Sequence, residues 1–371
     1  MKISVLQENL SKGLSIVSRS VASKATLPVL GNILLSTDKG RLKLQGTNLE
    51  TGISLLCGAK IEEEGEITIP ARILVEFVSS LPPEKIDLET SKTTLRISSG
   101  FFKAEINGIA SSEFPKIPSF PDKPDLTFEK EELIRALSQV DFAAASDESR
   151  PVLTGVLLKI EKEKVSLVAT DGYRLSIKNL KVKEQKLEGN LLVPAKTLLE
   201  ICRIAQEVSD EEKEIKMAQN PEKSQVVFDL ADIELSSRLL EGEFPEFEKI
   251  IPSTSSTKAE FAKEEFLRAI KIASIFAREQ ANIVKLKIGE GKMIISAESP
   301  QVGSNLGEIE AKTEGEELEI AFNFRFLLDF LNSPIGEEII FEASSPLSPG
   351  VFKIKGDDSF LHLIMPVRIQ A

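Results

Sequence analysis

The sequence predicts an α+β protein made of three repeated modules, each with two helices packed on an antiparallel sheet. Three observations support this prediction: an internal repeat, apolar residues that alternate with period two around polar turns, and helices with a single apolar stripe. The chain of 371 residues is too long for one ordinary core, so we expect roughly two to four domains.

The internal repeat is strongest between residues 10–47 and 133–170, which align without a gap at an offset of 123. Fourteen of these 38 positions are identical, far more than chance would give. A third, fainter copy begins at 263–280, where the helix lies at an offset of 133 from the second copy and the following strands at 128. We therefore expect the third module to be five residues shorter between its first helix and its strands.

The second half of each module also recurs, as a strand that runs into a short helix, at residues 66–78, 190–202 and 318–331. Pro70 and Pro194 stand where these helices are predicted to begin, a position at which the missing backbone N–H costs nothing. The first helix of module one has its predicted apolar stripe at i, i+4, i+7 and i+11, formed by Leu10, Leu14, Val17 and Val21.

Two linkers set the predicted module boundaries. Modules one and two both close on Glu-Phe-Pro, at 113–115 and 243–245. The Pro-, Ser- and Lys-rich stretches 117–125 and 250–258 that follow are typical of linkers. The sequence therefore predicts modules at 1–125, 126–253 and 254–371.

The bulk composition limits the class of protein. The formal net charge of −12 argues against a general nucleic-acid binder with a basic surface. No stretch approaches the ~20 apolar residues of a membrane span, and the N-terminus lacks the apolar core of a signal peptide. Cys57 and Cys202 are far apart in sequence and are best interpreted as reduced, buried residues. These features predict a cytoplasmic protein.

The predicted helices reverse this charge balance. Lys12, Arg19 and Lys24 lie in or just after the first helix of module one, where Glu8 is the only acid from 8 to 24. The remaining predicted helices also carry basic residues at matching positions of the repeat: Arg135 matches Arg268, and Arg72 matches Lys196 and Arg325. Further basic residues on these helices are Arg203, Lys271 and Arg278. For any single residue a solvated helix face is the simpler interpretation, but the recurrence favours a surface that holds a polyanion.

The sequence contains no motif for catalysis or for a cofactor. The single histidine, His362, is better interpreted as a surface or packing residue than as a base, since no nucleophile is placed beside it by motif. No Cys/His cluster has metal-ligand spacing. Neither the GxxxxGK(S/T) loop of nucleotide-binding proteins nor the GxGxxG motif of dinucleotide-binding proteins occurs. Asp171 has Asn48 as its counterpart in the repeat, which favours a turn over acid–base chemistry. We expect a protein without enzymatic activity, metal or cofactor.

Several segments carry a resemblance to a known family. LPVLGNILL at 27–35, RPVLTGVLL at 150–158, ATDGYRLS at 169–176, EFPEFEKIIP at 243–252 and MPVRI at 365–369 closely resemble the bacterial DNA polymerase III beta subunit, the replicative sliding clamp. The similarity extends over the whole chain in the same order. It implies three modules of the DNA-clamp fold, a head-to-tail homodimer closed into a ring, and a non-catalytic processivity factor in DNA replication and repair.

The resemblance also implies how duplex DNA is held. Twelve helices spaced ~9 Å apart would lie on a circle about 34 Å across and leave a hole of about 24 Å, which admits a duplex. Basic helices would contact phosphates loosely and without reading the bases, which permits sliding. Lys24, Arg72 and Lys196 are the first candidates for DNA-facing residues, since the family has basic residues there, followed by Arg135, Arg268 and Lys271.

The family binds short linear peptides of its partners in a cleft between modules two and three. The implied partners are the DNA polymerase III catalytic subunit, clamp-loader subunits and repair polymerases. The positions that match the family's cleft are Leu153, Thr170, Asp171, Gly172, Tyr173, Arg174, Leu175, Pro245, Lys249, Ile250, Leu363, Ile364, Met365, Pro366, Val367 and Arg368. An apolar pocket with an adaptable Met suits varied ligands, although Leu153 and Leu175 fit ordinary strand core equally well, and Tyr173 suits the rim.

The implied ring interface sets Ile106, on an edge strand of module one, against Ile275 and Phe276 of module three. Helical spacing with Ile272 leaves a plain core interpretation open for Ile275 and Phe276. The extra residues Ile369, Gln370 and Ala371 after the MPVR motif would lie near the edge of the cleft. Two competing hypotheses remain: a repeat scaffold that binds only proteins, and a carboxylate-dependent hydrolase, for which one module would have to break the repeat with a polar cluster.

Overall fold

The computed structural model describes residues 1–22, 27–208, 211–220, 224–279 and 281–368, apart from the side chain of Glu184. Lys24 and the C-terminal residues Ile369, Gln370 and Ala371 therefore lie outside the described residues. The chain divides into two compact units: residues 1–130 with 200–239, and residues 131–199 with 240–371.

The three repeats have one element order in the described residues: strand, helix, five strands, helix, three strands. The first repeat contains β1 (Lys2–Leu6), α1 (Gln7–Ser18), β2 (Asn32–Asp38), β3 (Arg41–Thr47), β4 (Thr51–Cys57), β5 (Ala59–Glu63), β6 (Glu66–Pro70), α2 (Ala71–Ser79), β7 (Lys85–Ser91), β8 (Thr94–Ser99) and β9 (Phe102–Asn107). The second contains β10 (Leu126–Glu129), α3 (Lys130–Val140), β11 (Gly155–Glu161), β12 (Lys164–Thr170), β13 (Arg174–Lys181), β14 (Glu184–Gln185), β15 (Gly189–Pro194), α4 (Ala195–Glu207), β16 (Glu214–Asn220), β17 (Gln225–Leu230) and β18 (Ile233–Arg238). The third contains β19 (Thr257–Ala262), α5 (Lys263–Ala277), β20 (Ile283–Gly289), β21 (Lys292–Ser299), β22 (Gly303–Glu310), β23 (Lys312–Gly315), β24 (Leu318–Asn323), α6 (Phe324–Asn332), β25 (Glu338–Ala343), β26 (Gly350–Ile354) and β27 (Asp357–Ile364).

The first unit contains two antiparallel sheets. One has five strands in the order β5-β1-β7-β8-β9, and the other runs β10-β16-β17-β18-β4-β3-β2-β6 within this unit. The second sheet joins two repeats, because β18 pairs antiparallel with β4 and places Leu235 opposite Ile53.

Helix α1 packs on β3 and β4, and Gly13 permits this close approach. A Cβ atom at Gly13 would lie 2.8 Å from Leu44 Cδ1 and 3.1 Å from Leu55 Cδ2. The helix can therefore lie close to the sheet only with a very small residue at this point.

The second unit also contains two antiparallel sheets. One runs β15-β11-β12-β13-β27-β26-β25-β19-β23, and the other has four strands in the order β22-β21-β20-β24. The pair β13–β27 again joins two repeats and sets Leu175 opposite Leu363. Helix α5 packs over β21 and β22 and against α6.

The periodicity of the sequence is confirmed with one correction. Leu10, Leu14 and Val17 are fully buried on α1, but the prediction that Val21 continues the stripe is wrong because the helix ends at Ser18. Beyond it the N–H groups of Ser20 and Val21 bond to the carbonyls three residues earlier, which tightens the chain into turns. Val21 is only half-buried.

Other local predictions are confirmed. Pro70 and Pro194 directly precede α2 and α4, and the first helices and the strands after them begin at the predicted repeat offsets. Cys57 and Cys202 are buried and form no disulfide, and burial raises the pKa of the Cys57 thiol to about 11. The module boundaries at 125 and 253 remain a prediction, since strands of neighbouring repeats share sheets.

Candidate functional site

The turn after β12 is built by its own side chains. Asp171 Oδ1 accepts hydrogen bonds from the backbone N–H of Tyr173 and Arg174, at 2.8 and 3.1 Å. Thr170 Oγ1 donates to the carbonyl of Arg174 at 2.6 Å and accepts from the N–H of Gly172 at 3.0 Å. Gly172 has a φ of +91°, which favours glycine.

The first repeat contains the same turn. Asn48 Oδ1 accepts from the N–H of Glu50 and Thr51, and Thr47 Oγ1 bonds to the Thr51 carbonyl and the Leu49 N–H. The prediction that Asp171 serves a turn is therefore confirmed.

Arg174 lies at the centre of a network of acidic and aromatic side chains and is itself only 9 % exposed. Its Nε donates to Asp171 Oδ2 at 3.0 Å and its Nη1 to Asp329 Oδ2 at 2.6 Å. The guanidinium carbon lies 4.7 Å from the Phe326 ring centroid and 5.5 Å from that of Phe142. Carboxylates and aromatic rings thus satisfy the planar cation, a pairing that a lysine would not reproduce.

His362 lies beneath this network and is completely buried. Its ring stacks on Phe330 at 5.0 Å, and its Nδ1 lies 2.7 Å from Ser176 Oγ. Burial first, and the charge of Arg174 second, lower the pKa of His362 to about 3. His362 is therefore a neutral packing residue, and the alternative of a surface position is wrong.

The predicted cleft residues all lie in the second unit, in three degrees of exposure. Leu153, Thr170, Arg174, Leu175, Leu363 and Ile364 are buried; Asp171, Pro366 and Val367 are half-buried; and Gly172, Tyr173, Pro245, Lys249, Ile250, Met365 and Arg368 are exposed. The burial of Leu153 and Leu175 is what ordinary strand core predicts.

Backbone and ring contacts bring the two halves of the predicted cleft together. The N–H of Met365 donates to the carbonyl of Tyr173 at 2.8 Å. Leu175 and Leu363 belong to one buried apolar cluster that also contains Phe247. Tyr173 is 61 % exposed and stacks on Phe326 at 6.3 Å between centroids.

Three residues of this region were missed by the sequence analysis. Phe247 lies inside the EFPEF segment, whose aromatic spacing was a usable signal. Phe326 and Asp329 lie on α6, and no local pattern connects them with Arg174, about 150 residues earlier in the chain.

The basic residues occupy equivalent positions on the helices. Lys12, Arg135 and Arg268 are each the sixth residue of α1, α3 and α5, and all three are exposed. The second residues of α2, α4 and α6 are also basic and exposed: Arg72, Lys196 and Arg325. Lys271 is exposed one turn after Arg268. The repetition therefore holds for all six described helices.

Two of these cations have acidic neighbours. Arg72 Nε lies 3.0 Å from Glu76 Oε1, and Lys196 Nζ lies 3.6 Å from Glu148 Oε1. All four side chains are largely exposed, so these ion pairs are weak and leave the cations available to phosphates.

The residues of the predicted ring interface differ in their exposure. Strand β9, which carries Ile106, is an outer strand of its sheet, and Ile106 itself is 7 % exposed. Ile275 is 58 % exposed, so the plain core interpretation is wrong for this residue, whereas Phe276 is half-buried and packs against the core. Ile272, on the same helix, is 46 % exposed.

The described residues lack two features that other classes of protein require. Within the described ranges, no group of three or more His, Cys, Asp or Glu side chains is arranged to hold a metal ion. None of the helices described is long and apolar enough to cross a membrane.

Three α+β repeats with basic residues at equivalent positions of their helices define the class of DNA sliding clamps. Models of the N-terminal, central and C-terminal domains of the DNA polymerase III beta subunit match residues 1–118, 127–246 and 248–368. The beta sliding clamp of Synechococcus elongatus is 32 % identical over 379 residues, covering 100 % of both chains. That of Staphylococcus aureus is 30 % identical over 362 residues, covering 94 % of each.

A solved structure agrees with these sequence relatives. The DNA polymerase sliding clamp of Bacillus subtilis superposes with a TM-score of 0.94 at 29 % identity, covering 100 % of both chains. The chain belongs to the DNA polymerase III beta subunit family, with its three-domain sliding-clamp fold. It is a sliding clamp of DNA replication, and thus a processivity factor and not a catalytic enzyme.

Proposed function

We propose that two copies of this chain close head to tail into a ring around duplex DNA in the cytoplasm. The ring tethers the polymerase III catalytic subunit, clamp-loader subunits and repair polymerases through short peptides bound at the cleft between modules two and three. The module limits proposed for this assembly are 1–125, 126–253 and 254–371.

The strand pattern at the junctions between repeats carries the ring proposal. At both junctions the ninth strand of one repeat pairs antiparallel with the fourth strand of the preceding repeat, as β18–β4 and β27–β13. Two strands of these same types are outer strands of their sheets: β9, the ninth of repeat one, and β22, the fourth of repeat three. A second copy would let each pair in the same way.

The observed registers predict the register of the new pair. Leu235 stands opposite Ile53 at the first junction and His362 opposite Ser176 at the second. By the hairpin registers, Ala104 on β9 corresponds to Leu235 and His362, and Asn305 on β22 corresponds to Ile53 and Ser176. We therefore expect Ala104 to lie opposite Asn305 of the other copy.

The exposed side chains near these strands support the same interface. Phe102 on β9 is 55 % exposed and Leu306 on β22 is 72 % exposed, while Ile275 is exposed on α5, which packs against β22. Apolar residues grouped on free strand edges are typical of a surface that is covered by a partner.

The equivalent cations on the six helices support a sequence-independent contact with DNA. Each lies on a separate helix at a repeated position, so phosphates rather than base edges are the expected targets. Lys24, which lies outside the described residues, is proposed as a further contact.

The oligomeric state tests the ring. Sedimentation equilibrium should give the mass of two chains for the wild type and of one chain for Ile275→Asp. Leu199→Asp is the matched control, because Leu199 is 39 % exposed on α4 of repeat two, which contributes neither of the two free edge strands. A wild type that sediments as one chain at micromolar concentration would contradict the ring.

A topological experiment tests the encirclement of DNA. The clamp, loaded by its clamp loader, should remain on a circular plasmid and leave when the plasmid is cut once. Equal retention on circular and linear DNA would instead support a scaffold that binds the surface of DNA or proteins only.

A further inference from the structure

A second cavity lies beside the predicted peptide cleft, on the face of the sheet of β11, β12, β13 and β27 against which Phe247 packs. It measures about 270 Å³, and the apolar side chains Ile177, Leu361 and Phe247 line it together with the rim residues Lys159 and Glu248. This volume lies just below the range of about 300–1,000 Å³ that is typical of small-molecule pockets, and it suits a single side chain.

The cavity continues the floor of the predicted cleft. Leu175 and Leu363 form a cross-strand pair on β13 and β27, and the next pair on the same face is Ile177 with Leu361. Alternate residues of a strand lie roughly 7 Å apart. Leu175, Leu363, Ile177 and Phe247 belong to one buried cluster, against which Leu361 packs.

The pairing of β18 with β4, the first junction between repeats, shows that the fold does not need apolar residues at these two cross-strand pairs. There the corresponding cross-strand pairs are Gly52 with Ser236, and Ser54 with Glu234. The two junctions share the same antiparallel geometry, yet both pairs are apolar only at the second junction.

The first junction is also covered by the chain's own linker. A Cβ atom at Gly52 would lie 2.9 Å from Ile117 Cγ2, so Ile117 packs directly against this point. Burial raises the pKa of Glu234, and the backbone of Phe120, in the same linker, lies close enough to this carboxylate to lower it in part. The polar pairs at this junction therefore face the linker and are not open to a partner.

The rim of the second cavity is close to electrically neutral. Lys159 Nζ lies 3.1 Å from Glu161 Oε1 and 2.9 Å from Glu248 Oε1. Lys164 is a second lysine of the lining and Asp358 a third acid, so two cations face three carboxylates. Since these charges nearly balance, the apolar floor decides what the cavity accepts.

We propose that this cavity is an accessory site for the same partner peptide that occupies the cleft. It takes one apolar side chain, two positions away from the residue that sits over Leu175 and Leu363. An extended peptide places residues i and i+2 on one face at the spacing of the two cross-strand pairs. This inference rests on the peptide cleft proposed above and adds a second anchor to it.

A display selection tests the proposal with random linear decapeptides as the probe. The wild-type clamp should enrich peptides with two apolar anchors at i and i+2. Leu361→Glu, which places a carboxylate in the cavity, should enrich peptides that keep one anchor and lose the other. Asn179→Trp fills the polar end of the cavity and should also enrich peptides with only one anchor. Agreement between the two variants would show that the effect does not come from a folding defect of Leu361→Glu. Leu347→Glu is the control, because Leu347 is 60 % exposed and does not line the cavity.

Binding of a single selected peptide gives the magnitude. Replacing its second anchor by serine should weaken binding to the wild-type clamp about tenfold, and weaken binding to Leu361→Glu by less than twofold. Enrichment of one-anchor peptides by the wild type and both cavity variants alike would overturn the accessory site and leave the cleft intact. Enrichment of no peptide by the wild type would overturn both.

Discussion

Arg174 and Asp329 form a 2.6 Å ion pair that joins the turn after β12 to helix α6 of the third repeat. Asp171 holds the other side of the same guanidinium at 3.0 Å, and two aromatic rings flank it. The exposed turn of the predicted cleft is thus anchored to a helix that carries one of the repeated cations, Arg325.

Replacing Arg174 tests this anchor. Arg174→Gln leaves Asp171 and Asp329 without their cation, and we expect it to lower the free energy of unfolding by about 1–3 kcal/mol, because both carboxylates keep part of their solvent contact. The pKa of His362 should rise, since the charge of Arg174 helps to lower it. Urea unfolding measures the first effect. The imidazole resonances of this single histidine report the second, and an unchanged pKa of His362 would contradict the assignment.

The pH dependence of stability should contain a contribution from His362. Its pKa is about 3 in the folded protein and about 6.5 when unfolded. As the pH falls below about 6.5, the unfolded chain takes up a proton that the folded chain refuses, so this stability is present at neutral pH and is lost towards pH 3. Between about pH 6 and pH 4 the loss should approach 1.4 kcal/mol per pH unit.

A matched variant separates this contribution from that of the carboxylates. His362→Gln can keep a hydrogen bond to Ser176 but does not titrate, so its stability should fall with a shallower slope over the same range. Parallel slopes for the two proteins would show that His362 takes up its proton equally in both states.

Packing of α1 on its sheet gives a third prediction. Leu10 is fully buried, and Leu10→Ala should lower the free energy of unfolding by about 2–5 kcal/mol through lost burial and a residual cavity. Leu6→Ala is the control, because Leu6 is 58 % exposed directly before the same helix, and its cost should stay under about 1 kcal/mol. Chemical denaturation measures both, and equal costs would contradict the packing of α1.

The salt dependence of DNA binding gives a fourth prediction. The triple variant Arg72→Gln, Lys196→Gln and Arg325→Gln should bind duplex DNA more weakly and with a shallower dependence on salt. Each lost phosphate contact removes about 0.9 from the slope of log K against log salt. A control triple variant at exposed residues outside the helices, Lys60→Gln, Lys92→Gln and Lys287→Gln, has the same change in net charge. Equal slopes for the two variants would mean that only net charge matters.

The sequence by itself determined the features that depend on neighbours along the chain. The repeat, the buried stripe of Leu10, Leu14 and Val17, the helix starts after Pro70 and Pro194, and the turn at Asp171 were all predictable, because residues within one helical turn or one hairpin specify them. The segments that resemble the family also identified the class of protein.

Only the tertiary structure decided which distant segments meet. Three contacts join residues more than 150 positions apart: the pairing of β27 with β13, the contact of His362 with Ser176, and the ion pair of Arg174 with Asp329. His362 also stacks on Phe330, which lies on a different element of the same repeat. Ile275 lies at the spacing of a core residue yet faces outward, because the opposite side of α5 already covers its sheet. Hydrophobic periodicity specifies a face, and only packing against a particular neighbour determines whether that face is buried.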